Sequence, residues 1–336
     1  MNEDLKKIVE SVEGSNNLSD EEKEILIKAA KSADRELAIT LFKLDRTEKV
    51  KRTTGILLEE TIEELEQKRK AVEEQAKLIQ IENERKSLEL EEARQLQLAM
   101  LPKQLPTLPN MNIAVYMQTA TEVGGDYYDF HVEEDGTLTA VIGDATGHGL
   151  KAGTIVTITK SLFHSLATNE NILETFSKIS KVIKDMKFRQ LSMCLTMIKI
   201  KENKMIISSA AMPPALVYRK NERNIDEIEL RGMPLGAMNN FPYKKEEILL
   251  NSGDTIFLMS DGFPELANKN NEMYGYDRTK TEFQLVGEKE PEEIVEHLKN
   301  SASEWVDGKD PDDDVTFVVI KIKQSTLTAQ KKVIRN

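Results

Sequence analysis

Residues 122–150 read EVGGDYYDFHVEEDGTLTAVIGDATGHGL, and this stretch decides how the rest of the chain is interpreted. Glycines and carboxylates cluster at 124–126 and again at 143–149, and the segment between them has the pattern of a hairpin. An apolar run, 138–142, precedes the second cluster. Asp144 is therefore expected where a strand ends and a glycine-rich turn begins, which is a favourable position for a metal ligand.

The same arrangement recurs further along the chain. The segment TIFLMSDG, 255–262, places Asp261 after an apolar run, and Asp313 lies among three aspartates just before the apolar segment 315–322. Carboxylates this far apart in sequence can meet only if their strands are neighbours in one system of sheets. Taken singly, each aspartate could equally be a turn residue, since Asp-Gly and Gly-Asp pairs are common in turns.

Composition narrows the possible functions. A chain of 336 residues suggests about two domains. Its 39% apolar residues can form a sizeable core, and its 31% charged residues indicate a large exposed helical part. The net charge of −12 argues against nucleic-acid binding, which needs a basic face, and against a role at a membrane surface.

The single cysteine, Cys194, excludes a disulfide within the chain and favours a reducing compartment. Its place in an apolar run is typical of a small buried side chain. The N-terminus lacks the pattern of a signal peptide, and no uncharged apolar stretch reaches the ~18 residues of a membrane span. We therefore expect a cytoplasmic protein without a membrane contact.

The N-terminal third is predicted to be helical. Apolar residues at helical spacing predict a helix over 3–12, and Ser19 with Glu22 forms a capping box that opens a second helix. We interpret residues 1–53 as a helical module and residues 54–100 as a linker helix. The linker is free of proline and carries a heptad series, formed by Leu58, Leu65, Val72 and Ile79.

This heptad series leaves two interpretations open. The helix could be a solvated helix lying on its own domain, or a coiled-coil stalk that pairs two copies of the chain. Arg69 and Asn83 interrupt the seam, and the register blurs after Ile81. We favour a homodimer formed through residues 54–100, with an imperfect seam that allows it to switch between arrangements.

Three prolines after residue 100 end the linker, and a domain of class α+β is predicted over 101–323, with a frayed tail at 324–336. Strands are predicted at 112–120, 127–132, 137–145, 192–201, 204–211, 215–220, 226–230, 244–250, 254–260 and 315–323. Helices are predicted at 150–166, 172–186 and 291–306.

The candidate ligands are all hard oxygen donors, which suit Mg²⁺ or Mn²⁺, and the sequence has no zinc-type spacing of His or Cys. Several aspartates can hold two such ions about 4 Å apart, an arrangement that clamps the attacking and leaving oxygens of a phosphoryl transfer. A water activated by two ions needs no protein nucleophile. The absence of a phosphate-cradling GxxxxGK[ST] loop is consistent with that chemistry.

Six motifs in order resemble those of the bacterial PPM-type, type 2C-like serine phosphatases of the stage II sporulation protein E and general-stress regulator kind. The resemblance covers about residues 95–323. The motifs are EVGGDYYDF at 122–130, GDATGHG at 143–149, PPAL at 213–216, GMPLG at 232–236, GDTIFLMSDGFPE at 253–265 and DDVTFVVI at 313–320.

The resemblance implies an αββα sandwich with two Mn²⁺ or Mg²⁺ ions between the sheets. It also implies a phosphoserine or phosphothreonine substrate on a STAS-type anti-sigma-factor antagonist, and a sensor or dimerisation module coupled through a helical linker. The ligand roles it implies are a bridging carboxylate from Asp144, a main-chain carbonyl from Ala145, carboxylates from Asp261 and Asp313 on the other ion, and metal-bound waters held by Asp126. Asp129, Gly262 and Asp314 are implied as supporting residues.

Two positions remain open. His148 could act as a general acid toward the leaving alkoxide or could be a surface loop residue. Similar proteins often carry Asn-Ala-Gly-His where this chain has Ser209-Ala210-Ala211-Met212. The missing histidine motivates an alternative function, a phosphatase-fold scaffold that binds a phosphoprotein without cleaving it. A third possibility is hydrolysis of a small phosphometabolite.

Overall fold

The computed structural model describes residues 1–120, 123–147, 149–188 and 191–323. The helices are α1 (Glu3–Glu13), α2 (Asp20–Met100), α3 (Leu150–Leu166), α4 (Ile172–Asp185), α5 (Tyr276–Val286) and α6 (Pro291–Val306). The strands are β1 (Met111–Gln118), β2 (Asp126–Val132), β3 (Leu138–Ala145), β4 (Met193–Lys201), β5 (Lys204–Ala210), β6 (Ala215–Arg219), β7 (Asn224–Ile228), β8 (Lys245–Leu249), β9 (Thr255–Met259) and β10 (Val315–Ile322). The chain divides into two compact units, Met1–Glu84 and Arg85–Asn336.

The first unit contains α1 and most of α2. The predicted capping box is present: the Glu22 carboxylate accepts from the Ser19 amide at 2.9 Å, and the Ser19 hydroxyl accepts from the Glu22 amide at 3.3 Å. Val9 and Ala30 are buried, whereas the heptad side chains further along α2 are each more than half exposed. No helix in the described ranges combines the length and apolar character needed to cross a membrane.

Helix α2 runs without interruption from Asp20 to Met100. It continues through Gly55, although glycine has a low helix propensity. The predicted boundary at residue 53 lies within this helix, and the one at residue 100 lies at its end. The division into a helical module and a linker stays a prediction.

The second unit contains an αββα sandwich, as predicted. One sheet has the strand order β1-β10-β9-β6-β7, the other has the order β2-β3-β4-β5-β8, and neighbouring strands are antiparallel. Helices α3 and α4 pack on the second sheet, and α5 and α6 pack on the first. Both sheets are therefore covered on both faces.

Alternation along the strands assigns each residue to one of these faces. In β3, Leu138, Ala140 and Ile142 join the core between the sheets, whereas Val141 joins the core under α3 and α4. In β10, Val318 and Ile320 face the same inter-sheet core. Burial on both faces explains why these strands have continuous apolar runs in the sequence.

Helix α5 corrects the prediction, which has no helix between Asp261 and Pro291. Its buried residues Thr279, Phe283 and Val286 follow a spacing of four and three, which is helical. The signal is weak because the helix is short and begins after Gly275, which has no side chain to form a cap.

Candidate metal and phosphoester site

The carboxylates of the second sheet meet at one end of the β2–β3 hairpin. Asp126 is paired directly with Asp144 in the antiparallel register, so both side chains lie on the same face. The alternation of β3 places that face toward the other sheet, because Asp144 follows Ala140 and Ile142 in steps of two. The site therefore lies at the end of the inter-sheet core.

The other two predicted ligands come from the first sheet. Asp261 follows β9 and Asp313 precedes β10, and these strands are antiparallel neighbours, so both aspartates lie at the same end. Gly262 permits this approach, since a Cβ there would lie 2.0 Å from the carbonyl oxygen of Asp314. The implied supporting role of Gly262 thus has a steric basis.

Hydrogen bonds join the two sheets at the site. Asp314 accepts from the Gly125 amide at 2.5 Å through Oδ2 and from the Ala120 amide at 2.7 Å through Oδ1. Ser260 Oγ on the first sheet donates to Asp126 Oδ2 on the second at 2.8 Å. Because both carboxylate oxygens accept from main-chain amides, Asp314 stabilises the loop between β1 and β2 and is a poor candidate for a metal ligand.

The site carboxylates repel one another. Burial, and then the charges of Asp261, Asp313 and Asp314, raise the pKa of Asp144 to about 8. Burial is also the main cause that raises the pKa of Asp126 well above its usual range, with Asp144 adding to it. The pKa of Asp313 is raised by burial and by Asp261. The predicted ligands from both sheets are thus close enough to act on one another.

No lysine, arginine or histidine within the described ranges forms an ion pair with Asp126, Asp144, Asp261 or Asp313. Asp129 differs, because Lys160 Nζ lies 2.7 Å from its Oδ2 and the Tyr127 hydroxyl donates to the same oxygen at 2.9 Å. Buried carboxylates without a cation are costly. Lys160 neutralises Asp129, whereas no cation of the described residues pairs with the four site aspartates.

A divalent cation fits this set of donors. A Cβ built on Gly125 would lie 2.7 Å from Asp144 Oδ1 and 2.8 Å from the Ala145 carbonyl oxygen, so both oxygens border the same small space. Among the described residues, no three His, Cys, Asp or Glu side chains form a metal site by themselves. An ion here would complete its coordination with main-chain oxygen and water, which is usual for Mg²⁺.

A cavity of about 310 Å³ opens beside Asp261. Met212 lines it at the position where similar proteins often carry histidine, and Arg231 and Tyr276 lie on other walls. Arg231 was not predicted from the sequence, because it lies one residue before the GMPLG motif and outside all six motifs. Another cavity, of about 330 Å³ between β1 and α6, is lined by none of the four site aspartates.

Cys194 is paired with Asp144 in the register of β3 and β4, and burial, followed by the charges of Asp144 and Asp261, raises the pKa of its thiol to about 12. The thiol therefore stays protonated and is a poor nucleophile. His148 lies outside the described residues, and its role as a general acid stays a prediction.

The sequence model of the stage II sporulation protein E (SpoIIE) family matches residues 134–323. The phosphoserine phosphatase RsbU of Bacillus subtilis (strain 168) is 27% identical over 241 residues, which cover 70% of this chain and 67% of that protein.

Solved structures share the fold. The SiaA-PP2C domain of Pseudomonas aeruginosa has a TM-score of 0.64 at 18% identity, covering 71% of this chain and 98% of that domain. The PP2C phosphatase domain of SpoIIE from Bacillus subtilis, with a fragment of its regulatory domain, has a TM-score of 0.53 at 20% identity, covering 65% and 64%. RsbX in complex with magnesium has a TM-score of 0.51 at 15% identity, covering 66% and 99%.

The family match spans more than half of the chain, and the sandwich is the fold of the solved phosphatase domains. The chain therefore belongs to the stage II sporulation protein E family, and it is a phosphatase of the type 2C class.

Proposed function

We propose that this chain is a Mn²⁺- or Mg²⁺-dependent protein serine/threonine phosphatase that holds two ions at the end of the inter-sheet core. One observation carries the proposal: four aspartates from two sheets converge there, and no cation within the described ranges forms an ion pair with any of them. The likeness to RsbX, solved with magnesium, supports a metal-dependent site.

Each residue has a definite part in this proposal. Asp144 and the Ala145 carbonyl would hold one ion, Asp144 with Asp261 and Asp313 would hold the other, and Asp126 would hold bound waters. Bound ions would supply positive charge to the phosphoryl group and lower the pKa of the attacking water. The protein itself orients Asp126, through the hydroxyl of Ser260, and excludes bulk water from that carboxylate, which is only 1% exposed.

The proposed substrate is a phosphoserine or phosphothreonine on a STAS-type anti-sigma-factor antagonist. Similarity to RsbU, a phosphoserine phosphatase, supports a phosphoserine substrate. The cavity that Asp261 lines offers space for a phosphorylated side chain next to that one site carboxylate. Arg231 on its wall can attract the phosphate or acidic residues around it.

We also propose that the enzyme is a homodimer controlled through the linker helix, residues 54–100. Leu58, Leu65, Val72 and Ile79 repeat at seven-residue intervals and are each more than half exposed. A second copy would cover this apolar seam. Light scattering at micromolar concentration tests the proposal, and a monomeric mass contradicts it without affecting the chemistry.

The experiment that tests the activity is Mn²⁺-dependent phosphate release from a phosphoserine STAS-type protein. Asp144→Asn is expected to abolish release while the circular dichroism spectrum is unchanged. Asp135→Asn is the matched control, because Asp135 lies in the turn of the same hairpin and forms an ion pair with Lys201 at 2.7 Å. Full activity in Asp144→Asn would refute the mechanism.

The two alternatives predict different results in the same assay. A scaffold would bind the phosphoprotein without release of phosphate, and calorimetry would detect no heat of Mn²⁺ binding at neutral pH. An enzyme for small phosphometabolites would hydrolyse free phosphomonoesters as fast as the phosphoprotein. Mn²⁺ binding, together with faster hydrolysis of the phosphoprotein than of free phosphomonoesters, would exclude both the scaffold and the phosphometabolite enzyme.

A further inference from the structure

A buried glutamine near the end of α2 contacts the loop that carries Asp126. Gln97 is 6% exposed, whereas Leu96 and Leu98 on either side of it are exposed. Burying an amide in place of a neighbouring leucine is unfavourable unless the amide is fully hydrogen-bonded. The partners of Gln97 therefore indicate why it is there.

Both ends of the Gln97 amide bond to the same residue. Nε2 donates to the Gly124 carbonyl oxygen at 2.7 Å, and Oε1 accepts from the Gly124 amide at 3.1 Å. The two bonds fix the main chain on either side of the Gly124 Cα. This reciprocal pairing needs one donor and one acceptor in fixed relation, which a glutamine side chain provides.

The Gly124–Gly125 segment that Gln97 contacts has little intrinsic rigidity. Gly124 and Gly125 are consecutive glycines, and glycine has more conformational freedom than any other residue. Neither tolerates a side chain here: a Cβ on Gly124 would lie 2.4 Å from Asp314 Oδ2, and one on Gly125 would lie 2.7 Å from Asp144 Oδ1. Both positions therefore require glycine, and contacts with other parts of the chain must fix the conformation of the loop.

The fixed segment leads directly to the site. The Gly125 amide donates to Asp314, the next residue is Asp126, and Asp126 is paired with Asp144. A change in the Gly124 main chain therefore moves the Gly125 amide, the Asp126 carboxylate and the space beside Asp144 together.

We propose that Gln97 is a positioning residue for the metal site: its amide fixes the Gly124–Gly125 main chain and thereby sets the place of Asp126 relative to Asp144. As far as it concerns metal, this inference rests on the proposed function. It also makes the end of α2 a structural part of the phosphatase site.

The test uses the full chain with two substitutions and a control. Gln97→Leu keeps the size of the side chain and removes both hydrogen bonds. Gln97→Glu keeps an acceptor for the Gly124 amide and loses the donor. Gln95→Leu is the matched control, because Gln95 lies on the same helix, is exposed and bonds only within the helix, to Glu91 at 3.3 Å.

Two readouts are measured. Hydrogen–deuterium exchange in the metal-free protein, followed on a peptide that covers Gly125, is expected to be faster in Gln97→Leu than in Gln95→Leu. Calorimetric Mn²⁺ titration without substrate is expected to show affinity about tenfold to a hundredfold weaker in Gln97→Leu, intermediate in Gln97→Glu and unchanged in Gln95→Leu. With the phosphoprotein, kcat at limiting Mn²⁺ is expected to fall while KM is unchanged.

The outcomes separate the two proposals. A lower melting temperature in Gln97→Leu with unchanged exchange at Gly125 and unchanged Mn²⁺ affinity would make Gln97 a packing residue only and would overturn the inference. If the wild-type protein itself gives no Mn²⁺ heat, the proposed function fails. In that case faster exchange at Gly125 still supports the positioning role, and unchanged exchange still overturns it.

Discussion

Asp126 on β2 lies directly opposite Asp144 on β3, so two carboxylates occupy the same end and the same face of one hairpin. Asp261, which follows β9, and Asp313, which precedes β10, add their negative charges to this end of the hairpin. Such a concentration of negative charge opposes folding of the metal-free protein.

The stability of the metal-free protein is expected to fall as pH rises from about 4 to about 8. Burial and neighbouring charges raise the pKa of Asp144 to about 8 in the folded state, against about 3.9 in the unfolded state. A raised folded pKa contributes stability that is complete below the unfolded value and lost as pH rises through the folded one. Denaturant unfolding across this pH range measures the effect.

Asp144→Asn is expected to flatten this pH dependence, because the amide does not titrate. Adding Mn²⁺ at pH 8 is expected to raise the midpoint of the wild-type protein and to leave that of Asp144→Asn nearly unchanged. A wild-type midpoint that rises steadily with pH in the absence of metal would contradict the electrostatic account.

Gly125→Ala is expected to reduce phosphatase activity about a hundredfold, because a methyl group would displace Asp144 Oδ1 and the Ala145 carbonyl oxygen. Gly55→Ala is the control: nothing lies within 4 Å of its added Cβ, and it lies in the interior of α2, where alanine is favoured by about 1 kcal/mol. Equal activity in the two variants would show that the space beside Gly125 is not part of the site.

Lys160→Met is expected to destabilise the protein by about 3 kcal/mol, because it leaves the buried Asp129 carboxylate without its cation. Adding Asp129→Asn to this variant should recover part of the lost stability, because no unpaired carboxylate is then buried. A double-mutant cycle in urea measures the coupling. Mn²⁺ affinity is expected to stay close to wild type, and a large loss would place Asp129 among the metal-site residues instead.

Arg231→Ala is expected to raise KM for the phosphoprotein by up to about tenfold and to reduce its dependence on salt, with little change in kcat. Arg231 lines the cavity beside Asp261, and its ion pair with Glu229 is exposed and therefore weak. Lys245→Ala is the control, because Lys245 is on β8, pairs with Glu247 and lines none of that cavity. An equal change in both variants would indicate a general charge effect.

The candidate site aspartates could be selected from the sequence, because each one adjoins an apolar strand and a turn signal that are both local in sequence. Their roles as metal ligands came from the family resemblance and stay predictions. The alternating pattern also located the strands to within a few residues. Which strands are neighbours in a sheet was not predictable from this pattern. For example, β1 pairs with β10, and their residues are about two hundred positions apart. The resemblance to a known family, rather than the pattern itself, supplied the sandwich.

The parts that were missed have physical reasons. Helix α5 has three buried residues and no side-chain cap, so its signal is weak. Gln97 looks like any other polar residue of a polar helix, and only its burial against Gly124 distinguishes it. The proximity of Cys194 to Asp144 depends on the register of two strands whose sequences do not specify it.

Asp314 directly precedes β10 of one sheet and accepts from the Gly125 amide, which directly precedes β2 of the other. The candidate site consequently lies between two sheets, each of which contributes two of the four site aspartates. A shift of one sheet by a fraction of an ångström would alter the spacing of the carboxylate oxygens without unfolding either sheet. The geometry of such a site would therefore depend on the alignment of the two sheets.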